Sequence, residues 1–225
     1  LDISTQALRA LWRSLYIDGF LRIILNIKGP NITGYWDMVA WLLTFWVLDD
    51  GLEQQDPLSK TKAQQWVRWC RKQEPFGEVL GNQLDVWLQG TQREHDAVVD
   101  YTSVRADSAG VRPTIAAMLV FVEERRKALL NKDTAAAFVN RLRPLSLLVG
   151  LDNDLYFYHK NDIVLLRDRN QIKKIEERAE RDHEKEVRTI YGETARREAR
   201  EYRIRFMFWA LLAPRYTRNP FNKHT

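Results

Sequence analysis

Apolar side chains recur at steps of three and four along most of this chain, and the runs are punctuated by glycine and proline. Such spacing puts one face of a helix against a core. From Ser4, the positions Leu8, Leu11, Leu15, Ile23 and Ile24 predict a first helix, which Gly29, Pro30 and Asn31 end. A second starts near Tyr35, carries Trp36, Val39, Leu43 and Trp46, and is limited by Pro57. Ser59 is placed to cap a third, bearing Trp66 and Trp69, and a fourth runs from Phe76 to Arg105 through Leu80, Leu84, Trp87, Leu88, Val98 and Val99. The stretch RADSAGVRP then breaks the pattern. Pro113 stands in the first turn of a helix over Ile115 to Leu130, another starts at Asp133 or Thr134, and after an interruption at Pro144 a helical pattern resumes to about Asp162. Between Arg167 and Arg205, 23 of 39 residues are charged. Yet Tyr191, Ala195, Ala199, Tyr202, Phe206, Trp209 and Ala213 keep helical steps up to Pro214, so this segment reads as an amphipathic helix.

Alternating strand patterns are scarce, and ten glycines and seven prolines are few for 225 residues, so the pattern predicts an all-α fold, a helical bundle in a single domain over residues 1–225. No internal repeat or low-complexity linker marks a second domain. Bases exceed acids by 35 to 30, a net charge of +5, but the two signs are interspersed, which argues against a phosphate-tracking surface; nucleic acid is not an expected partner. Cys70 is the only cysteine, which excludes an intrachain disulfide and agrees with a reducing, cytoplasmic setting. The apolar run Met38 to Leu48 is bounded by Asp37 and Asp49 and is too short to span a bilayer, so no stable membrane insertion is expected. Monomer and homodimer are both compatible with this composition.

That run also poses a chemical question, because a helix apolar along its length ends in WVLDDGLEQQD. On a helix Asp49 and Glu53, four residues apart, point the same way, with Asp50 beside them. Carboxylate oxygens suit hard cations, and Mg²⁺ commonly takes one or two of them together with substrate phosphates. A sparse acidic cluster at the mouth of an apolar cavity therefore suits a metal-bound phosphate ester; a solvated helix end is the other reading of the same string. Phe45, one turn before Asp49, faces the same side just below the acids. A second polar cluster, NDLYFYHKND, puts Asn153 and Lys160 two turns apart on another otherwise apolar helix.

Together, DDGLE and NDLYFYHKND resemble the paired motifs of the class I terpene synthases, DDxx(D/E) and NDxxSxxxE. The resemblance implies a bundle of the class I terpenoid synthase type, in which the motifs face each other and three Mg²⁺ ions hold a prenyl diphosphate. It implies Asp49, Asp50, Glu53 and Asn153 as metal ligands and Lys160 as a diphosphate contact. Two positions depart from the pattern: Phe157 stands where the family has Ser or Thr, and Asn161 where it has Glu. The metal site at Asn153 is accordingly expected to be weak. YTSVRADSAGVRP is similar to the family segment that carries a diphosphate-sensing arginine and a helix break, which implies Arg105 as sensor with Ser108 and Ala109 at the linker and effector positions. WALLAPRY resembles the late Trp and Arg-Tyr pair, implying Trp209 at the cavity and Arg215 and Tyr216 on the diphosphate. The four segments follow the family's order from Tyr35 to Tyr216, in a chain shortened before the first motif and between the motif pairs.

The implied activity is a Mg²⁺-dependent cyclase that ionises a prenyl diphosphate, farnesyl diphosphate foremost, and cyclises the carbocation. Arginine can hold phosphate oxygens bidentately, and aromatic faces such as Phe45 and Trp209 stabilise cations, although helical spacing alone favours ordinary core for these aromatics. The alternative is a catalytically weak or inactive helical protein on the same fold, which Phe157 and Asn161 favour. A chain-elongating prenyltransferase is disfavoured because NDLYF stands where that family has a second Asp-rich motif. A helical interaction protein would explain residues 167–205 but not the Asp49 and Asn153 clusters.

Overall fold

The computed structural model describes residues 9–10, 12–13, 16–94, 100–127, 131–156 and 169–213. Every regular element among them is a helix, so the all-α expectation holds. A short helix α1, Ile17–Gly19, passes into a π-helical turn over Phe20–Ile24. Helix α2, Tyr35–Glu53, matches the apolar run and starts at Gly34, whose φ of 85° lies in the left-handed region. A Cβ at Gly34 would also sit 1.7 Å from the Phe121 carbonyl oxygen, so both the backbone conformation and the space require glycine.

Polar side chains decide several boundaries that apolar spacing placed elsewhere. Helix α3, Pro57–Arg71, is capped by Asp56 rather than Ser59: the Asp56 carboxylate accepts from the backbone N–H of Leu58 at 3.2 Å and of Ser59 at 2.9 Å. Pro57 takes the first helical position, where no N–H is needed. The single helix expected from Phe76 to Arg105 is two, α4, Gly77–Arg93, and α5, Tyr101–Ser108; Val98 and Val99 lie outside the described residues. Asp100 starts α5, its carboxylate accepting from the Thr102 N–H at 3.1 Å. Helix α6, Val111–Phe121, has Pro113 in its first turn as expected, but Val122 is extended and stops it well before Leu130. Four residues of α7, Glu123–Arg126, follow. Helix α8, Lys132–Asn140, is capped by Asn131, and α9, Arg143–Tyr156, has Pro144 in its first turn.

The core forms around α2, which buries Met38, Trp41, Leu42, Phe45, Trp46, Leu48 and Leu52 and packs on α3, α4 and α6. Helix α4 continues the stack onto α5, α5 onto α9, and α9 onto α10, Arg169–Leu212. The long α10 is not straight. Arg203 pairs with Glu176, 27 residues earlier, and with Glu180, while Arg200 pairs with Glu184. A straight helix would hold Glu176 and Arg203 ~40 Å apart, so the run must double back between Lys185 and Arg197. The two arms then run antiparallel. The later arm buries Trp209, Ala210 and Ala213 in the main core, and the earlier one packs Ile175 and Ala179 beside Tyr101 and Leu151. No described helix is long and apolar enough to cross a membrane.

Candidate functional site

The acids of α2 rise from an aromatic floor. Phe45 is buried, with its ring centroid 4.6 Å from Trp87 and 5.1 Å from Trp41, and Trp66 closes the group at 6.4 Å from Phe45. One turn on, the Asp49 carboxylate accepts a hydrogen bond from the Trp87 indole N–H at 3.3 Å. Asp49, Asp50 and Glu53 are all half-buried, at the end of the helix rather than on an open face. Trp209 belongs to a different cluster: it meets Phe20 edge-on at 4.8 Å and stacks on Trp46 at 6.0 Å, and its indole N–H donates to the Tyr16 carbonyl at 3.2 Å. Phe206 joins Trp209 at 5.7 Å. Because Trp46 is one residue beyond Phe45, the two clusters use sides of α2 about 100° apart.

The break between α5 and α6 is held between α2 and α9. Gly110, at φ 73°, lies so close to Phe45 that a Cβ there would be 2.9 Å from the ring. On the other side Gly150 of α9 faces Ala109 and Arg105: a Cβ at Gly150 would meet the Arg105 side chain at 2.9 Å and the Ala109 methyl at 3.2 Å. Phe45, Arg105, Ser108 and Ala109, far apart along the chain, are thus brought to one locus. One turn beyond Gly150 comes Asn153, whose side-chain carbonyl oxygen is buried without a hydrogen-bond partner among the described residues.

Arg105 itself is deeply engaged. Its guanidinium donates to both oxygens of Asp154, at 2.9 and 2.7 Å, and to Glu94 at 2.9 Å, with Ser108 at 3.4 Å. The Tyr101 hydroxyl donates to Asp154 at 2.6 Å, and the Ser108 hydroxyl to Glu94. Burial works against the Arg105 charge, but Asp154 and Glu94 outweigh it and hold the guanidinium above its ordinary range. Burial pushes the Glu94 carboxyl up, against the pull of Arg105. The sequence offered Arg105 to a diphosphate; here two carboxylates occupy it, and a phosphate oxygen would have to displace one of them.

A second buried ionic group ties α9 to both arms of α10. Arg203 donates to the two oxygens of Asp152 at 2.6 and 2.7 Å and to Glu176, with Glu180 at 3.1 Å. Burial raises Glu176, opposed by Arg203. His183, buried on the earlier arm, has no hydrogen-bond partner at either ring nitrogen among the described residues; burial first and the Arg203 charge second hold it below its ordinary pKa. Apolar spacing did not announce this group: Glu176, Glu180, His183 and Arg203 lie in the charged segment 167–205, read as one amphipathic helix, and Asp152 lies on α9. Cys70 has no chemistry to offer: burial pushes its thiol up to about 12.

Asp49, Asp50 and Glu53 on α2 and Asn153 on α9 are oxygen donors that suit a hard cation, and the orphaned Asn153 oxygen fits a ligand position. Among the described residues, no group of three or more His, Cys, Asp or Glu side chains is arranged to hold a metal ion. Lys160, Arg215 and Tyr216, with Phe157 and Asn161, lie outside the described residues. As a class, the chain is an all-α bundle in which the helices bearing Asp49 and Asn153 flank one helix break. No protein-family model, curated protein or solved structure matches it.

Proposed function

We propose that the protein is a class I terpene cyclase that ionises a prenyl diphosphate, farnesyl diphosphate foremost, and cyclises the resulting carbocation with release of diphosphate. The observation that supports this most is the clamped break: Gly110 against Phe45 and Ala109 against Gly150, with Asp49 and Asn153 each about one turn beyond those contacts. Mg²⁺, with Asp49, Asp50, Glu53 and Asn153 as its protein ligands, would neutralise the charge of the leaving diphosphate. Phe45, buried and packed on Trp41, Trp66 and Trp87, would form an apolar, water-excluding wall below the acids. Trp87 orients the Asp49 carboxylate through its indole N–H. Arg105 fixes α5 against α9 through Asp154 and reaches a diphosphate only by exchanging one of its carboxylates. That saturation favours one second reading, a slow or inactive protein on the same fold.

Incubation with geranyl, farnesyl and geranylgeranyl diphosphates plus Mg²⁺, followed by product analysis, separates the two. A cyclised hydrocarbon or alcohol that disappears in a folded Asp49→Ala variant supports the cyclase. Absence of product from all three substrates at saturating Mg²⁺ removes the cyclase and leaves the inactive protein.

A further inference from the structure

Helix α5 carries another charged group two residues beyond Arg105. The Asp107 carboxylate, itself largely buried, receives three guanidinium groups: Arg93 from the end of α4 at 2.9 Å, Arg112 from the first turn of α6 at 2.7 Å, and Arg143 from the start of α9 at 3.3 Å. Arg143 also donates to the hydroxyl of Ser103 at 3.0 Å and to its carbonyl at 3.3 Å. Among the described residues, one carboxylate against three arginines leaves a surplus of positive charge, which Asp100 offsets only in part at Arg143. Nearby Glu94 does not relieve it, because its hydrogen bonds go to Arg105 and Ser108.

The arginines have donors to spare. Arg112 is only 7% exposed, yet among the described residues its five N–H groups make one hydrogen bond, to Asp107. The Arg93 Nε is buried with no partner among the described residues. Arg93 and Arg143 keep about two fifths of their side chains in solvent, at 40% and 45%, so the group opens outward. Burial, followed by the neighbouring Arg143 charge, holds Arg112 below its ordinary range against the pull of Asp107, the direction expected of crowded cations. Arginine cannot relieve such crowding by losing a proton, since its pKa stays far above physiological pH. A bound anion relieves it, and planar guanidinium forks match tetrahedral phosphoryl oxygens.

We infer that Arg93, Arg112 and Arg143, with Ser103, form a binding site for a small phosphoryl dianion, inorganic phosphate or diphosphate, at the junction of α4, α5, α6 and α9. The site uses none of the acids of α2 and needs no metal, so it does not rest on the cyclase reading. Titrating the whole chain calorimetrically with inorganic diphosphate in EDTA, and in a second arm with inorganic phosphate, tests it with metal-dependent binding removed. A single saturable site is expected, for which the two anions compete. Arg143→Gln, at an exposed position, should weaken binding about tenfold, the loss of one charge-assisted contact. Asp107→Asn should tighten it about threefold by removing the competing negative charge. Arg178→Gln, an exposed arginine on α10, should leave the affinity unchanged. Lack of saturable binding in EDTA overturns the site. So does equal affinity of the Arg143→Gln and Arg178→Gln variants, each checked for native fold by near-ultraviolet circular dichroism.

Discussion

Arg203 stands among three carboxylates, those of Asp152, Glu176 and Glu180, whereas Asp107 stands among three guanidinium groups. The two groups are near mirror images in charge, and each joins helices distant in sequence. They differ in how a surplus can be relieved. An acid-rich group takes up protons, and the raised Glu176 pKa leans that way. An arginine-rich group has no such outlet at any pH a protein meets. The acid-rich group is the more closed of the two: Arg203 is 17% exposed, Asp152 1% and Glu176 10%, and Glu180 alone of its members, at 42%, reaches solvent. The arginine-rich one keeps two of its members in solvent, where counter-ions reach them.

Removing the central residue of the closed group should have the largest effect. Arg203→Met leaves Asp152 and Glu176 buried without their cation and should cost about 3–5 kcal/mol in urea unfolding. A loss under about 1 kcal/mol would erase the contrast with Asp107, because it would mean that the carboxylates can be solvated or protonated freely.

His183 sharpens the same comparison through pH. Its pKa is depressed in the folded state, so as pH falls below the ordinary value of 6.5 the unfolded chain takes up a proton first, and stability is lost from about pH 6.5 downward. Above that pH the contribution is fully present. His183→Leu removes both unpartnered nitrogens and should lessen the drop in melting temperature between about pH 7.5 and 5.5 by about 2 °C. Parallel curves for the two proteins would show that the imidazole keeps its ordinary pKa.

The smallest effect belongs to the open group. Arg143→Gln should change unfolding free energy by about 0.5 kcal/mol or less, since exposed ion pairs contribute little. A loss as large as that of Arg203→Met would show that Asp107 sits in a closed structural group after all.

Apolar spacing located helices well where glycine or proline bounds an apolar run, as in α2, whose apolar run and terminal acids coincide with Tyr35–Glu53. It failed where a polar side chain ends or restarts a helix without disturbing the three-and-four rhythm. Asp100 divides the expected helix from Phe76 to Arg105, and the DxT pattern that begins α5 was the available signal. The fold-back in α10 left no mark in the apolar steps; Gly192, the one glycine in that run, was the only hint. The convergence of Phe45, Arg105, Ser108 and Ala109 was legible because the two motifs and the break lie in order along the chain. The partners of Arg105 were not. Asp154 lies one residue past Asn153 on α9, Glu94 follows the last turn of α4, and no spacing rule links them to Arg105 across 49 and 11 residues.

The indole of Trp209 donates to the backbone of Tyr16 across 193 residues of chain. During synthesis at roughly 5–20 residues per second, about 10–40 s separate the emergence of those two partners. Throughout that interval Phe20 and Trp46, which Trp209 covers in the finished protein, remain open to other chains and to chaperones. The nascent protein therefore carries an uncapped aromatic patch for the time those intervening residues take to be made, and the later arm of α10 is what retires it.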